Sequence, residues 1–564
     1  MRRKTPVMVK AWIMFIILSS GFAAQNPLAA ATKPGTDIFV DQLGYLPDLP
    51  KTVIAAKYAT QFRVVDNLNS QVIYQGKLEA CQDPTSGRRV WRGDFSSVRK
   101  IGNYRIEMPG VGQSYPFAIA TKVYNELLRV SLRSYYLQRC GTALRDPETG
   151  FAHPPCHEED GYLAGKAQSG SGNQAIDCRG GWHDAGDYGK YTPTTAITAA
   201  QLLAAYELGP EKFSDGQLGI PESGNGCPDI LDEARIGLEW LLKMQRSDGA
   251  VYHKVAGRYW ALFNSPEIDR QKRYIYGIST ANTAKTAAVM AMASRVFQPW
   301  DPAFAARARQ AAHHAWLFLN SHPNLWEHQE TDDQGSGNYP ANDDRGDRLW
   351  AMLELALLPG EGPTRQSLAT ALTGNWPVPL EWSNGAFLGL FDYARAADGD
   401  PALRKVAKSQ ILSLVARFQK TATASAYQYS LNYQDFYWAS NKEGLVRGMA
   451  MWGAAYLQAG GNLKQLALAQ LHFILGLNPL SKCFVSGVGA NPVRKPHHRW
   501  CSALGKPIPG FLAGGPNQQS ESGIEPIGKG PFSYADEEGS YSSNEPAIDY
   551  NAALVFMAAA FAAP

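Results

Sequence analysis

Two hydrophobic patterns divide the chain, and the first is typical of β-strands. Between residues 37 and 120, short runs of alternating apolar and polar residues, such as "KTVIAAK", "QFRVVDN" and "GNYRIEMPG", are separated by turn residues. Seven such runs at this spacing predict a small all-β sandwich of immunoglobulin type over residues 37–120. The alternative is a β-rich part of one larger domain.

From residue 121 to residue 564 the pattern is helical. Twelve segments carry apolar residues at helical spacing, from "VYNELLRVSLRSYYLQRC" to "DYNAALVFMAAAFAA", and many are rich in Ala, which lets helices pack closely. Long connections rich in Gly and Pro hold most of the Trp, Tyr, His and paired acidic residues. Twelve helices with polar loops fit an α/α toroid of six inner and six outer helices.

The amino-terminal segment has the features of an export signal. "MRRKTPVMVK" carries four basic residues, "AWIMFIILSSGFAA" is apolar, and small residues follow around Ala29 to Ala31. This order predicts a signal peptide over residues 1–31 and a secreted or periplasmic protein. A retained amino-terminal anchor is the alternative. Because no later segment is long and apolar enough to span a membrane, we expect no membrane contact after processing.

Length and charge exclude some classes of function. The chain has 564 residues, which is more than one ordinary core needs, so two domains are expected. The net charge is +3, which gives no basic field and argues against a nucleic-acid partner. The seven cysteines are an odd number, so at least one lies outside any internal disulfide.

The stretch "GGWHDAGDYGKY", residues 180–191, places two carboxylates three residues apart. Two acids within reach of one water can hold both of its hydrogens, and one of them can take the proton. Asp184 and Asp187 are therefore candidates for holding and deprotonating a water. A calcium loop does not fit, because Gly186 and Thr195 occupy positions that need ligands. A helix cap would explain only one carboxylate.

The stretch "SYSSNEPAIDYNAALV" places Glu545 just before the last predicted helix. A general acid needs a raised pKa at neutral pH, and an apolar setting with nearby carboxylates provides one. Glu545 is therefore a candidate general acid. The alternative is an acidic residue that only favours a helix N-terminus.

The stretch "SGVGANPVRKPHHRW" gathers His and Arg in a Pro-rich loop beside Trp. His497 and Arg499 are suited to hydrogen bonding with sugar hydroxyls or to orienting a carboxylate. A solvated basic loop is the alternative interpretation.

Together, and in this order, the three stretches resemble the family 9 glycoside hydrolases, inverting cellulases built on an (α/α)6 barrel. The family's "GGW-DAGD-K" stretch corresponds to residues 180–191, its H-x-R loop to His497 and Arg499, and its "NE-AID-N" stretch to residues 544–551. "DQLGYLPDLPK" resembles the start of the immunoglobulin-like module that precedes the barrel in one branch of the family. The resemblance covers essentially the whole mature chain and implies an all-α (α/α)6 barrel over residues 121–564.

The resemblance implies a role for each matched residue. Asp187 corresponds to the general base, Asp184 to its partner in holding the water, and Glu545 to the general acid. The other implied residues are His497 as a further catalytic group, Arg499 and Tyr550 in substrate binding, and Trp438 as a stacking platform.

The predicted function is that of a monomeric, inverting endo-β-1,4-glucanase acting on a β-glucan polysaccharide or oligosaccharide. Exo-action on cello- or glucosamine oligosaccharides is an alternative within the family. A non-catalytic glucan-binding protein is an alternative of another class, and the three intact carboxylates argue against it. A terpene or prenyl enzyme is a third alternative, against which export and the lack of a diphosphate-binding acidic motif argue.

Two thiols and two imidazoles make a candidate zinc site, which this branch of the family also carries. The predicted ligands, which would pin the loop of Asp184 and Asp187, are Cys140, Cys156, His157 and His183. The alternative is a Cys140–Cys156 disulfide, and Cys178 is an alternative fourth ligand. The acidic stretch "NDDRGD", residues 342–347, is a candidate calcium loop, with a solvated loop as the alternative.

Overall fold

The structure is a computed structural model that describes residues 35, 37–164, 175–328, 334–360, 362–374 and 381–564. These residues belong to one compact unit. The predicted signal peptide, residues 1–31, lies outside the described residues, so export stays a prediction. Among the described residues, no helix combines the length and the apolar character that a membrane crossing requires.

The amino-terminal part is built from short β-strands. Between residues 37 and 120 the strands are β1 (Ile38–Phe39), β2 (Gly44–Tyr45), β3 (Thr52–Ala55), β4 (Gln61–Asp66), β5 (Val72–Gln82), β6 (Arg89–Asp94), β7 (Gly102–Met108), β8 (Gly112–Gln113) and β9 (Phe117–Ile119). They pair in the order β1-β3-β6-β5-β4-β7-β9-β2, with β8 on β7. The long strand β5 pairs with β4 through its first half and with β6 through its second half. It therefore connects the strands on the β4 side of the pairing order to those on the β6 side.

The alternating sequence pattern explains the core of this part. Along β7, Tyr104, Ile106 and Met108 are buried, because successive side chains of a strand point to opposite faces. They join Phe62 and Phe117 in one apolar core. The predicted amino-terminal β structure is thus confirmed. The predicted boundary at residues 120 and 121 stays a prediction, because strands and helices form a single compact unit.

The rest of the described chain is mainly helical. The α-helices are α1 (Asn125–Arg133), α2 (Thr192–Leu208), α3 (Asp229–Met244), α4 (Thr280–Phe297), α5 (Pro302–Ser321), α6 (Arg345–Leu355), α7 (Arg365–Leu372), α8 (Ala386–Arg395), α9 (Pro401–Ala424), α10 (Ser440–Tyr456), α11 (Leu463–Ile474), α12 (Arg499–Leu504), α13 (Tyr541–Asn544) and α14 (Ile548–Phe561). Short 3₁₀ turns lie at Tyr136–Gln138, Pro210–Lys212, Pro266–Ile268, Tyr433–Asp435 and Gly530–Phe532.

Six of the described helices form a closed inner ring. Direct packing joins α2 to α4, α4 to α6, α6 to α8, α10 to α14 and α14 to α2. Between α8 and α10, the ring of Phe391 faces Gly453. Each inner helix carries one outer helix: α1 packs on α14, α3 on α2, α5 on α4, α7 on α6, α9 on α8 and α11 on α10.

Composition decides which helices lie inside. The α4 segment, "TANTAKTAAVMAMASRVF", is small or apolar on every side, and all of its residues except Arg295 are buried. The outer helix α9 buries one stripe that includes Leu403, Ala407, Ile411 and Leu414. A helix that is apolar all round belongs in the interior, whereas a single apolar stripe belongs at the outside of a ring.

The loops of the helical part contain strands that the sequence analysis did not predict. In the described ranges these are β10 (Leu144–Arg145), β11 (Ala152–His153), β12 (Tyr162–Leu163), β13 (Lys190–Tyr191), β14 (Tyr252–Gly257), β15 (Arg273–Ser279) and β16 (Glu327–His328). The strand β13 immediately follows the Asp184–Asp187 loop and pairs antiparallel with β14. This sheet therefore holds one end of the loop that carries both aspartates.

Candidate active site

A cleft of about 800 Å³ opens at one end of the helical ring. Residues within or just before the first turns of α2, α10 and α14 line it, so the N-termini of these three inner helices point towards the cleft. The structure brings all seven predicted catalytic and substrate-binding residues into this cleft: Asp184, Asp187, Trp438, His497, Arg499, Glu545 and Tyr550.

Gly186, between the two aspartates, allows three loops to meet. A Cβ atom at this position would lie 2.1 Å from the carbonyl oxygen of His497, closer than any side chain tolerates. The Gly186 N–H donates to Glu545 Oε1 at 3.1 Å, and its carbonyl accepts from the Arg499 N–H at 3.0 Å. Glycine is thus required here, because the backbone itself joins the three predicted stretches.

Asp184 is almost fully buried, and both of its carboxyl oxygens accept hydrogen bonds. Oδ1 accepts from the Thr194 hydroxyl, and Oδ2 accepts from the Tyr339 hydroxyl at 2.7 Å. Burial raises the pKa of Asp184 well above its usual range, and the charges of Asp187 and Asp549 raise it further. A raised pKa favours a shared or retained proton on this member of the pair.

Asp187 is held as a hydrogen-bond acceptor. Its Oδ2 accepts from the Tyr191 hydroxyl at 2.8 Å and from the Gly189 N–H at 3.1 Å. The Tyr191 hydroxyl in turn accepts from the Gly337 N–H at 2.9 Å. These two donors fix the orientation of the Asp187 carboxyl group in the cleft.

Glu545 lies in the cleft beside the aspartate loop. Burial raises the pKa of Glu545 to about 8, the charge of Asp187 adds to the increase, and the Arg499 guanidinium opposes it. Its carboxyl group is therefore mostly protonated at pH 7 and can act as a proton donor.

His497 and Arg499 lie in the cleft wall next to these carboxyl groups. His497 Nδ1 is 2.7 Å from the Glu538 carbonyl oxygen, which only accepts, so Nδ1 carries the hydrogen. Burial lowers the pKa of His497, so the ring is neutral at pH 7. The Arg499 side chain donates to the Gly186 and Ala261 carbonyls at 2.9 and 2.8 Å, so it clamps two loops.

Behind the aspartate loop, the predicted metal ligands form one cluster. One ligand atom from each of Cys140, Cys156, His157 and His183 lies within 4.8 Å of all the others. His157 Nδ1 is 3.6 Å from Cys140 Sγ and 3.2 Å from His183 Nε2. Tetrahedral zinc with its usual bond lengths gives edges of about 3.6 and about 3.3 Å for such pairs. The Asp269 carboxylate lies 3.5 Å from His157 Nε2, as an outer partner of a metal-bound imidazole does.

The alternatives to this ligand set find no support in the described structure. Cys140 and Cys156 are both free thiols rather than a disulfide. Cys178 lies outside the cluster, and its carbonyl oxygen accepts from Lys190 Nζ at 2.6 Å. His183, which directly precedes Asp184, completes the set instead.

The predicted calcium loop is held together by ion pairs. Among its residues, the carboxylates pair with separate cations: Asp343 with Arg345, Asp344 with Arg348, and Asp347 with Lys285. Asp347 also accepts from the Gly385 N–H at 2.9 Å. Within the described residues, the Cys–His cluster is the one group of three or more candidate ligands. The carboxylates of this loop therefore do not converge on a shared cation position.

Comparison with known proteins decides the family. Residues 124–558 match the model of Glycosyl hydrolase family 9, and residues 33–113 match that of the Cellulase N-terminal ig-like domain. The chain belongs to glycosyl hydrolase family 9. It is 32% identical over 536 residues to Endoglucanase D of Acetivibrio thermocellus, covering 93% of this chain and 83% of that protein.

Solved structures of family 9 endoglucanases share the fold of this family 9 hydrolase. A metagenome-derived family 9 endoglucanase is 45% identical with a TM-score of 0.89, covering 93% of this chain and 99% of that one. A Zn-binding triple mutant of endoglucanase J30 is 35% identical with a TM-score of 0.86, covering 92% of this chain and 99% of that one.

The sequence analysis missed several residues of this family 9 cleft. Tyr191 and Tyr339 each donate to one aspartate, and their rings meet edge to face at 4.8 Å. Four further aromatic residues in the cleft lining are Trp260, Trp382, Tyr437 and Tyr541. The sequence does show that many aromatic residues lie in Gly- and Pro-rich loops. That pattern does not show which of these residues face the cleft.

Proposed function

We propose that this family 9 hydrolase is an endo-β-1,4-glucanase that inverts the anomeric configuration, with the helical ring as an (α/α)6 barrel and the β structure as an immunoglobulin-like module. The observation that carries the proposal is the shared cleft, in which a protonated Glu545 adjoins the buried pair Asp184 and Asp187. The relatives named endoglucanase support the choice of bond and of endo-action.

In the proposed mechanism, Glu545 gives its proton to the oxygen of the leaving sugar. Its raised pKa supports this role, because the proton is present at pH 7 and is needed only as the bond breaks. Arg499 opposes the increase in pKa, which keeps the proton transferable. The neutral ring of His497 leaves Nε2 available to accept a hydrogen bond from a sugar hydroxyl.

Asp187 takes the proton from a water that attacks the anomeric carbon from the opposite face, and Asp184 holds the second hydrogen of that water. Tyr339 and Thr194 support this assignment because they fix the orientation of the Asp184 carboxyl group. Inverting enzymes leave room for a water between base and sugar, which places their two carboxyl groups about 6.5–9.5 Å apart.

We also propose that the Cys–His cluster holds a structural zinc ion, with Cys140, Cys156, His157 and His183 as ligands. Four protein ligands leave no open position for chemistry, so the ion would supply rigidity. Since His183 is bonded in sequence to Asp184, that rigidity would reach the aspartate loop directly. We also propose that the protein is exported, because residues 1–31 have the features of a signal peptide.

The test follows the first minutes of hydrolysis of cellopentaose by proton NMR. We expect the α-anomer at the new reducing end before mutarotation sets in, with Asp187→Asn as the inactive control. Endo-action on soluble substituted cellulose should lower the viscosity of the solution steeply while only a few new reducing ends form. A β-anomer that forms first would refute inversion, and viscosity that falls only in proportion to reducing ends would refute endo-action.

A further inference from the structure

A buried ion pair on the cleft floor takes no part in the mechanism above. Lys442 lies in the first turn of α10 and Asp549 in the first turn of α14, and both line the cleft. Their residues are only 3% and 1% exposed, and Lys442 Nζ lies 3.3 Å from Asp549 Oδ2. Two charges are thus withdrawn from solvent at the place where substrate would lie.

The protein leaves this pair incompletely satisfied. Charge-assisted hydrogen bonds usually measure about 2.7–2.9 Å, and no described group makes a well-directed hydrogen bond to Asp549 Oδ2. Lys190 shows the contrast, because its buried ammonium has three acceptors, the Cys178 and Gly180 carbonyls and Asp160, at 2.6, 2.9 and 2.8 Å. Among the described residues, the Lys442 ammonium has Asp549 as its partner.

A buried donor or acceptor without a hydrogen-bond partner costs free energy. A ligand group that accepts from Lys442 and also donates to Asp549 should therefore bind here. A hydroxyl group does so, because its oxygen accepts one hydrogen bond and its hydrogen makes another. The 3.3 Å gap between Nζ and Oδ2 lets one hydroxyl oxygen reach both atoms at ordinary hydrogen-bond distances.

We infer that Lys442 and Asp549 form a hydroxyl-binding subsite, in which one pyranose hydroxyl of the substrate accepts from the Lys442 ammonium and donates to the Asp549 carboxylate. This inference rests on the proposed glucanase function. Asp549 is close enough to Asp184 for its charge to act on that carboxyl group. Lys442 and Asp549 also line the same cleft as Asp184 and Glu545, so the bound hydroxyl belongs to a sugar in that cleft.

The consequence is specificity for that hydroxyl. When a substrate lacks the group that a buried site is built to bind, the site's own polar atoms stay unpaired and the rate falls. Replacing Lys442 by Met should weaken the cleavage of normal substrates and at the same time abolish the penalty for the missing hydroxyl.

The test measures kcat/KM for 4-nitrophenyl β-cellobioside and for its analogues that each lack one hydroxyl. With the wild type, one analogue should lose about 10- to 100-fold relative to the parent compound, as expected for a hydrogen bond to a charged group. Lys442→Met should lose about as much on the parent, with little further loss on that analogue. Asp549→Asn should give the same pattern. This second variant allows the same test if Lys442→Met does not fold.

Lys405→Met, on the exposed side of the outer helix α9, is the matched control and should retain the wild-type pattern. Thermal melting of each variant separates misfolding from lost recognition. If every analogue loses the same factor with the wild type and with both variants, the subsite is refuted while the glucanase proposal stands. A wild type inactive on cellopentaose and on the parent compound would refute the proposed function and the subsite with it.

Discussion

The protonation of Glu545 should set the alkaline limit of activity. Its pKa of about 8 contrasts with the usual 4.5 of a glutamic acid. At pH 7, about nine-tenths of the groups then hold the proton, against about 0.3% for an ordinary glutamic acid, so burial increases the amount of active acid about 300-fold. Because the acid must be protonated, kcat/KM should fall as the pH rises through about 8.

The perturbation is Glu545→Gln, assayed with two substrates that differ in their need for an acid. Cellotetraose has a poor leaving group, so we expect a loss of about 10²–10⁴-fold on it. A 2,4-dinitrophenyl β-cellobioside leaves without protonation, so its hydrolysis should change little. The alkaline limit should be present for the wild type with cellotetraose and absent with the dinitrophenyl substrate.

Glu79→Gln, at an exposed position of β5, is the matched control and should leave both profiles unchanged. An equal loss on both substrates would show that Glu545 has a structural role rather than that of a proton donor. The assignment would also fail if the Gln variant retained the alkaline limit with cellotetraose.

Two further predictions concern the support of the aspartate loop. Purified protein should contain about one zinc ion per chain, and Cys140→Ser should lose the metal together with thermal stability; zinc-free wild type with a mapped Cys140–Cys156 disulfide would contradict this. Tyr339→Phe removes the 2.7 Å hydrogen bond to Asp184, so kcat should fall about 10-fold or more with little change in KM, and an unchanged kcat would show that the bond does not orient the carboxyl group.

Periodicity was enough to predict the main helices and the amino-terminal strands, because burial on one face or on all faces imposes a regular pattern. All twelve predicted helical segments are helices, from α1 to α14 with the short α12 and α13 left out. Those two helices and the strands β10 to β16 were missed, because each has only two to seven residues and lies in a loop with little pattern of its own.

The predictable part of the site consists of side chains whose chemistry is visible in a local motif. Asp184, Asp187 and Glu545 stand in compact stretches whose composition already suggests acid–base work. Tyr339 is different, because it contacts Asp184 across 155 residues of sequence. Lys442 likewise meets Asp549 only because two inner helices begin at the same end of the ring. The spacing of residues in a single sequence does not predict contacts between residues that lie so far apart along the chain.

The aspartate loop is held from three sides, and this arrangement separates catalysis from substrate choice. His183 ties it to the Cys–His cluster, Lys190 donates to the carbonyls just before it, and Gly186 joins it to Arg499 and Glu545. Fixed groups stabilise developing charge without reorganisation, so little of this loop can change without loss of rate. Changes in substrate preference should therefore arise in the aromatic walls and on the Lys442–Asp549 floor, where a side chain can be replaced while the geometry of the aspartate pair is kept.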